Sequence, residues 1–181
     1  MDKAQIGQEL VVHHQNFIAM LRSLSDEDFQ KKPGVKWTAG QQLDHIVKSV
    51  KPIDMAFGLP MFVLKMKFGL SNRPSKTYEA LVSKYQKALE DKAGFEIPSE
   101  FAPSKIPLKK REKVLGKMDE LIHKLRNRLA KFSEGELDTY ILPHPLMGKL
   151  TLREMLYFTI YHVQHHHRQI PENLAHANPK G

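Results

Sequence analysis

Residues 150–170 read LTLREMLYFTIYHVQHHHRQI, a pattern typical of an amphipathic helix. Its apolar residues recur at the three- and four-residue spacing of one helix face. Thr151 and Glu154 stand at the spacing of a capping box, which marks the start of a helix. Because proline lacks the backbone N–H that a helix needs, we expect this helix to end at Pro171. The stretch therefore predicts a long amphipathic helix with histidines near its end.

The same periodicity predicts four more helices, over residues 6–24, 37–50, 78–89 and 114–132. The second of them opens with Thr38 and Gln41 at capping-box spacing and is expected to run up to Pro52. Residues 58–76 fit either a short helix or a lid, and residues 95–110 are proline-rich and predict a long loop. The roles of these two segments stay open. No strand pattern stands out. The sequence predicts an all-α fold, an antiparallel four-helix bundle with a short extra helical segment.

Length and composition fit one folded domain over residues 1–181. Hydrophobic residues make up 41% of the chain and charged residues 27%, which is close to ordinary globular usage. The chain contains no cysteine, which excludes disulfides, thiolate metal ligands and cysteine nucleophiles. Any metal ion must therefore be held by nitrogen or oxygen.

The net charge of +8 makes nucleic acid a partner to consider. The positive residues are spread along the chain without the interleaved aromatic residues of a single-strand binding surface, so we interpret them as a solvated basic surface. Neither a secretory signal nor a stretch of about 20 apolar residues is present. We expect a cytoplasmic protein with neither a membrane nor a nucleic acid as its partner.

Ten histidines are present, and four of them, His162, His165, His166 and His167, fall within the last predicted helix. At about 100° per residue, His162 and His166 lie about 40° apart and can point at one ion, as the paired histidines of zinc helices do. The alternative is a solvated, histidine-rich helix end. Spacing alone does not choose a third ligand, since His45 competes with four other histidines: His13, His14, His123 and His144.

Two runs, WTAGQQLDHIV at residues 37–47 and LPHPLMGKLTLREMLYFTIYHVQHHHRQI at residues 142–170, carry a family resemblance. They resemble the two signature regions of the DinB-like superfamily of four-helix-bundle metalloproteins. The resemblance implies that His45, His162 and His166 are the three metal ligands. Lys48 departs from the acidic residue that some relatives carry three positions after the first ligand.

Three imidazoles favour a divalent transition metal, with zinc or nickel expected first, and three protein ligands leave a position for water or substrate. We consider Gln41, His165 and Gln169 as candidates that support the site or touch a substrate; the catalytic residues stay unassigned. Trp37 is interpreted as a core residue. The resemblance implies a metal-dependent thiol S-transferase or a hydrolase that acts on a small molecule, the former with a low-molecular-weight thiol. The alternative is a metal-binding bundle without catalysis, such as a sensor. A homodimer is left open.

Overall fold

Eight α-helices dominate the computed structural model, which describes residues 1–91, 94 and 96–177. They are α1 (Lys3–Ser23), α2 (Asp26–Gln30), α3 (Ala39–Phe57), α4 (Met61–Phe68), α5 (Tyr78–Asp91), α6 (Arg111–Leu129), α7 (Glu134–Thr139) and α8 (Leu152–Ala177). A 3₁₀ turn, Leu108–Lys110, precedes α6. The prediction of a mainly helical fold is confirmed. Within the described ranges, none of the helices combines the length and the hydropathy needed to cross a bilayer.

The four long helices pack in a closed arrangement. α1 lies against α6 and α8, and α3 lies against the same two helices. Each contributes one apolar face to a common core, whose fully buried side chains include Leu10, Phe17, Leu43, Ile46, Met118, Leu125, Leu156 and Val163. Polar residues that flank these faces on α3 and α8 are thereby brought next to one another.

The expectation that the chain has no strands is wrong for residues 141–151. Strands β1 (Ile141–His144) and β2 (Gly148–Thr151) pair antiparallel, with Ile141 opposite Thr151 and His144 opposite Gly148. Gly148 has a φ of 76°, a conformation that glycine adopts without strain, and it lets the chain turn back. Each strand has only four residues, which is too short for an alternating pattern to stand out.

The predicted end of the last helix at Pro171 is also wrong, because α8 continues to Ala177. Proline removes one backbone hydrogen bond but fits helical φ, and the buried face of α8 continues past it, since Ile170 and Asn173 are both buried. Pro52 likewise lies inside α3, which extends to Phe57. The predicted loop over 95–110 begins outside the described residues; residues 96–107 carry neither helix nor strand.

Both predicted capping boxes are present. Thr38 Oγ1 accepts from the backbone N–H of Gln41, and Thr151 Oγ1 accepts from that of Glu154. Glu154 is fully buried and also accepts two hydrogen bonds from Arg73, at 2.6 and 2.8 Å. This ion pair fixes the segment after α4 to the first turn of α8.

Candidate metal site

The rings of three histidines from two helices meet beside the core. His45 lies on α3, and His162 and His166 lie one turn apart on α8. The Nε2 atom of His162 is 3.2 Å from the Nε2 atom of His45 and 3.2 Å from that of His166. The ligand atoms of the group all lie within 4.8 Å of one another, and the three side chains are buried. No other group of three histidine or acidic side chains converges in this way within the described part of the chain.

Two of the three rings are held by a hydrogen bond at their other nitrogen. Nδ1 of His45 lies 2.8 Å from the backbone carbonyl oxygen of Phe101, and Nδ1 of His166 lies 2.8 Å from Oε1 of Gln42. Both oxygens only accept, so each Nδ1 carries a hydrogen and donates it. Each Nε2 of these two rings therefore presents a lone pair toward the third ring.

His162 cannot satisfy both lone pairs. A neutral imidazole with a hydrogen on Nε2 donates it once, yet two Nε2 atoms lie 3.2 Å away. At least one pair of nitrogens therefore faces each other without a hydrogen between them, which is unfavourable for buried polar atoms. A cation bound by all three nitrogens removes this conflict.

Burial keeps the cluster uncharged. Loss of solvation lowers the pKa of His162 and of His166 well below the ordinary value of 6.5, and the neighbouring histidines lower both further. The pKa of His45 is also lowered, mainly by burial. The rings are therefore neutral at pH 7, and the neutral imidazole is the form that binds metal ions.

The geometry fits a small transition-metal ion. A tetrahedral ion with bonds of about 2.0 to 2.1 Å separates its ligand atoms by about 3.3 Å, close to the two observed Nε2 separations of 3.2 Å. All three donors are imidazole nitrogens, which suit zinc, nickel, copper or iron and not magnesium or calcium. Hydrogen bonds at Nδ1 of two ligands are the usual support for such a site.

Two cavities meet at the cluster. The first, of about 300 Å³, is apolar and is bounded by α3, α5, β1 and α8; its walls include His45, Ile53, Phe68, Tyr85, Leu142, Leu146, Phe158 and His162. Among the described residues, no Asp, Glu, Lys or Arg lines it. The second, of about 330 Å³, also reaches His45 and His162 but is more polar, with Lys36, Gln42, His165, His166, Gln169 and Asn173 in its walls.

The structure separates the three further candidates. His165 and Gln169 line the polar cavity, and the His165 ring lies 5.3 Å from that of His166. Gln41 instead serves the N-terminus of α3, where its Oε1 accepts from the backbone N–H of Thr38 at 3.1 Å. The first two therefore stand where a bound molecule would touch them, and Gln41 stands in the helix cap.

The four histidines that competed for the third position lie outside the cluster. His14 is buried on α1, and His123 lies on α6 within 3.7 Å of an acidic side chain of the same helix. His13 pairs with Glu9 one turn earlier. His144 lines the apolar cavity from β1, but its Nδ1 is used by the adjacent turn. It is His45 that the structure brings to the pair on α8.

Sequence reasoning missed three features of this site. Gln42 was not singled out, although it lies one turn before His45 on the same helix, a position from which a side chain can reach the same ion site. The carbonyl of Phe101 carries no sequence signal, because any residue offers one. Trp37 is only partly buried, and its ring lies 5.0 Å from the ring of His45, so its assignment to the core is wrong.

Comparison with known protein families gives one match. A sequence model of the DinB superfamily matches residues 9–170. The matched region includes α3 and α8 and all three converging histidines. Searches of curated proteins and of solved structures find no significant match.

Proposed function

This chain belongs to the DinB superfamily, and on that premise we propose that it binds one divalent transition-metal ion through His45, His162 and His166. The observation that carries this proposal is the pair of Nε2 lone pairs, each fixed by a hydrogen bond at Nδ1, that face the single Nε2 of His162. We also propose that α1, α3, α6 and α8 form a four-helix bundle. Zinc or nickel is the expected ion, because no oxygen or sulfur ligand stands in the described group.

The two cavities favour a reaction between two small molecules. A polar thiol compound fits the cavity with Gln169 and Asn173, and an apolar electrophile fits the cavity with Phe68 and Leu146. When bound, a divalent ion supplies Lewis acidity, which lowers the pKa of a thiol or a water that reaches its open position. We therefore favour a thiol S-transferase acting on small molecules over a nucleic-acid-binding protein.

The chemistry of the walls also separates a transferase from a hydrolase. Hydrolysis commonly needs a general base beside the attacking water, and no carboxylate lines the apolar cavity among its described residues. A free thiol has a pKa of about 8.5 and bulk water one of about 15.7, so a thiol needs a much smaller shift to lose its proton at neutral pH without a base. In the transfer, the thiol sulfur forms a bond to the electrophilic carbon, the leaving group departs with its bonding electrons, and the thiol proton passes to solvent.

Metal analysis of protein purified without a histidine tag tests the first part of this proposal. We expect one equivalent of zinc or nickel for each chain after dialysis. Metal content well below one equivalent, together with no uptake from added zinc or nickel, would contradict the site.

A screen of reactions tests the second part. Glutathione, cysteine and coenzyme A are each offered with 1-chloro-2,4-dinitrobenzene, and the thioether product is followed with metal-loaded and chelated protein. Rate enhancement that disappears on chelation and in His162→Ala supports a transferase. Metal binding without any enhancement, across several thiols and electrophiles, would favour the sensor or another non-catalytic role.

A further inference from the structure

His144 is a buried histidine that the proposed metal site does not use. It is the last residue of β1, is 8% exposed and lines the apolar cavity. The ring of Phe158 separates it from the cluster: the centroid of Phe158 is 4.3 Å from that of His144 and 4.8 Å from that of His162. His144 therefore faces the same cavity as the metal site without belonging to it.

The hairpin fixes which nitrogen of His144 carries the hydrogen. Its Nδ1 accepts hydrogen bonds from the backbone N–H groups of Leu146 and Met147, both at 3.1 Å. A nitrogen that accepts has no hydrogen, so the hydrogen of the neutral ring is on Nε2. Burial lowers the pKa of His144 to about 4, which is consistent with a neutral ring at pH 7.

The Nε2–H of His144 has no acceptor in the described part of the protein. The hydrogen bonds of the ring to the chain are those at Nδ1, and Nε2 lies on the opposite side of the ring from the turn. The neighbouring rings, Phe158 at 4.3 Å and Tyr85 at 6.5 Å, meet it edge to face and hold its orientation. A fixed donor without a partner in an apolar wall is the usual way in which a cavity orients a mostly apolar ligand.

We propose that the apolar cavity binds a small, uncharged molecule with one hydrogen-bond acceptor oxygen, such as a ketone, ester or amide, and that His144 Nε2–H donates to that oxygen. The charge of the ligand follows from the walls, since the described lining offers no ionised side chain to pair with it. A neutral imidazole N–H is an effective donor to substrate carbonyls in enzymes. As a description of the substrate class, this inference rests on the proposed function, since the cavity opens at His45 and His162.

A pair of ligands of equal shape isolates the hydrogen bond. Acetophenone and α-methylstyrene differ only in a carbonyl oxygen that replaces a methylene group. Binding of each to the purified full chain is measured by NMR titration. We expect acetophenone to bind about three- to ten-fold more tightly after allowance for the solubility of each compound, which is the range of one net hydrogen bond. Equal affinities would overturn the proposal.

The variant His144→Asn separates the donor from the structural role of the residue. The asparagine side-chain oxygen can accept from the backbone N–H two residues later, as in an Asx turn, so the hairpin keeps its internal hydrogen bond. The shorter side chain lacks a donor at the position of Nε2. We expect the preference for acetophenone to disappear while the circular dichroism spectrum stays that of the wild type. A preference kept in this folded variant would overturn the proposal.

A second measurement needs no variant. Nitrogen-15 spectra of the wild-type histidines report the tautomer directly, and we expect the Nε2–H form for His144, with a shift on acetophenone addition that α-methylstyrene does not cause. A hydrogen on Nδ1 would overturn the assignment.

Repeating the titration after chelation separates this inference from the metal proposal. A preference that persists without metal belongs to His144, whatever the outcome of metal analysis. A preference that vanishes on chelation belongs to the ion and overturns the role of His144, while it supports the metal site.

Discussion

His14 and the three-histidine cluster are both buried, and their surroundings differ in one respect. His14 lies within the apolar face of α1, where its Nδ1 donates to the backbone carbonyl of Leu10 at 2.7 Å and its Nε2 has no partner among the described residues. In the cluster, Nδ1 of His45 donates to a carbonyl in a loop, and Nδ1 of His166 donates to a side chain of α3. The Nε2 atoms of both rings converge on His162. The candidate site is therefore distinguished by the convergence of ligand atoms from two helices and not by burial alone.

The difference is visible in the direction of each hydrogen bond. The bond of His14 is local, four residues back on the same helix, and it fixes the ring without aiming it at any other histidine. Gln42 and Phe101 hold their histidines from 124 and 56 residues away in sequence, so these contacts exist only in the folded chain. The cluster is thus a product of the tertiary fold, whereas the contact of His14 is a product of one helix.

The largest expected effect separates the cluster from other histidines. His162→Ala should abolish metal binding, because His162 stands between the other two donors, whereas His14→Leu and His167→Ala should retain one equivalent. Metal content after dialysis is the measurement, with circular dichroism to show that helix content is kept. Similar metal content in His162→Ala and His167→Ala would contradict the three-histidine metal site.

The pH dependence of the free energy of unfolding tests the effect of burying His14. Burial lowers the pKa of His14 to about 4 in the folded chain, against an ordinary value of 6.5 for a histidine. Between these values the unfolded chain takes up a proton that the folded chain refuses, so the free energy of unfolding falls as the pH falls from 6.5 to 4 and is unaffected above that range. The loss from His14 alone amounts to about 3 kcal/mol.

We expect His14→Leu to reduce this acid destabilisation when urea unfolding of the metal-free protein is followed at pH 7.5, 5.5 and 4.5. Part of the fall in unfolding free energy between pH 7.5 and 4.5 should remain, since burial also lowers the pKa of His144 to about 4. Gln15→Leu adds the same side chain at the next, exposed position of α1 and should keep the full fall in unfolding free energy. The same fall in His14→Leu as in the wild type would show that burial of His14 does not govern acid stability.

Gln42→Leu tests the bond that directs His166. The substitution keeps the volume of the side chain and removes the acceptor of the Nδ1 hydrogen, so metal affinity should fall about 10- to 100-fold. Competition with a chelator of known affinity measures the change. Gln41→Leu, at the adjacent residue, removes a helix-capping contact and should leave the affinity near that of the wild type. A larger loss in Gln41→Leu would reverse the roles assigned to these two residues.

The smallest loss of metal affinity is expected for the segment whose Phe101 carbonyl accepts the hydrogen bond of His45. Lys48 Nζ donates to the carbonyl of Ala102 at 2.7 Å and to Ser104 Oγ at 3.0 Å, which ties that segment to α3. Lys48→Met keeps the aliphatic stem and removes these bonds. We expect a loss of metal affinity of less than about ten-fold, smaller than that of a directly bonded partner. Lys51→Met, exposed on the same helix, is the control and should show no change.

Sequence patterns predicted α1, α3, α5, α6 and α8 because each of these helices is encoded locally, whereas the short helices α2 and α7 were not predicted. The capping residues Thr38 and Thr151 and the periodic apolar faces act within a few residues of the backbone they shape. The hairpin at 141–151 was missed because its pairing depends on a turn and on burial against α8. Pro171 was misread because a proline inside a helix removes one backbone hydrogen bond without always ending the helix, as Pro52 inside α3 also shows.

The candidate site was predictable only in part. The spacing of His162 and His166 on one helix indicated the pair, whereas His45 came from a resemblance, since nothing in its local sequence distinguishes it from His14 or His144. Gln42 and the Phe101 carbonyl could not be predicted, because a hydrogen bond across 124 or 56 residues depends on the way the helices pack.

The packing of α1 against α8 has a consequence for synthesis of the chain on the ribosome. The apolar face of α1, with Leu10 and Phe17, is covered by a helix whose last buried positions come about 150 residues later. Until α8 leaves the exit tunnel, that face has α6 alone to lie against, and the two histidines that converge with His45 are not yet available. The emerging chain therefore has an incomplete core for most of its synthesis, and completion of the core and assembly of the histidine cluster occur in the same late step.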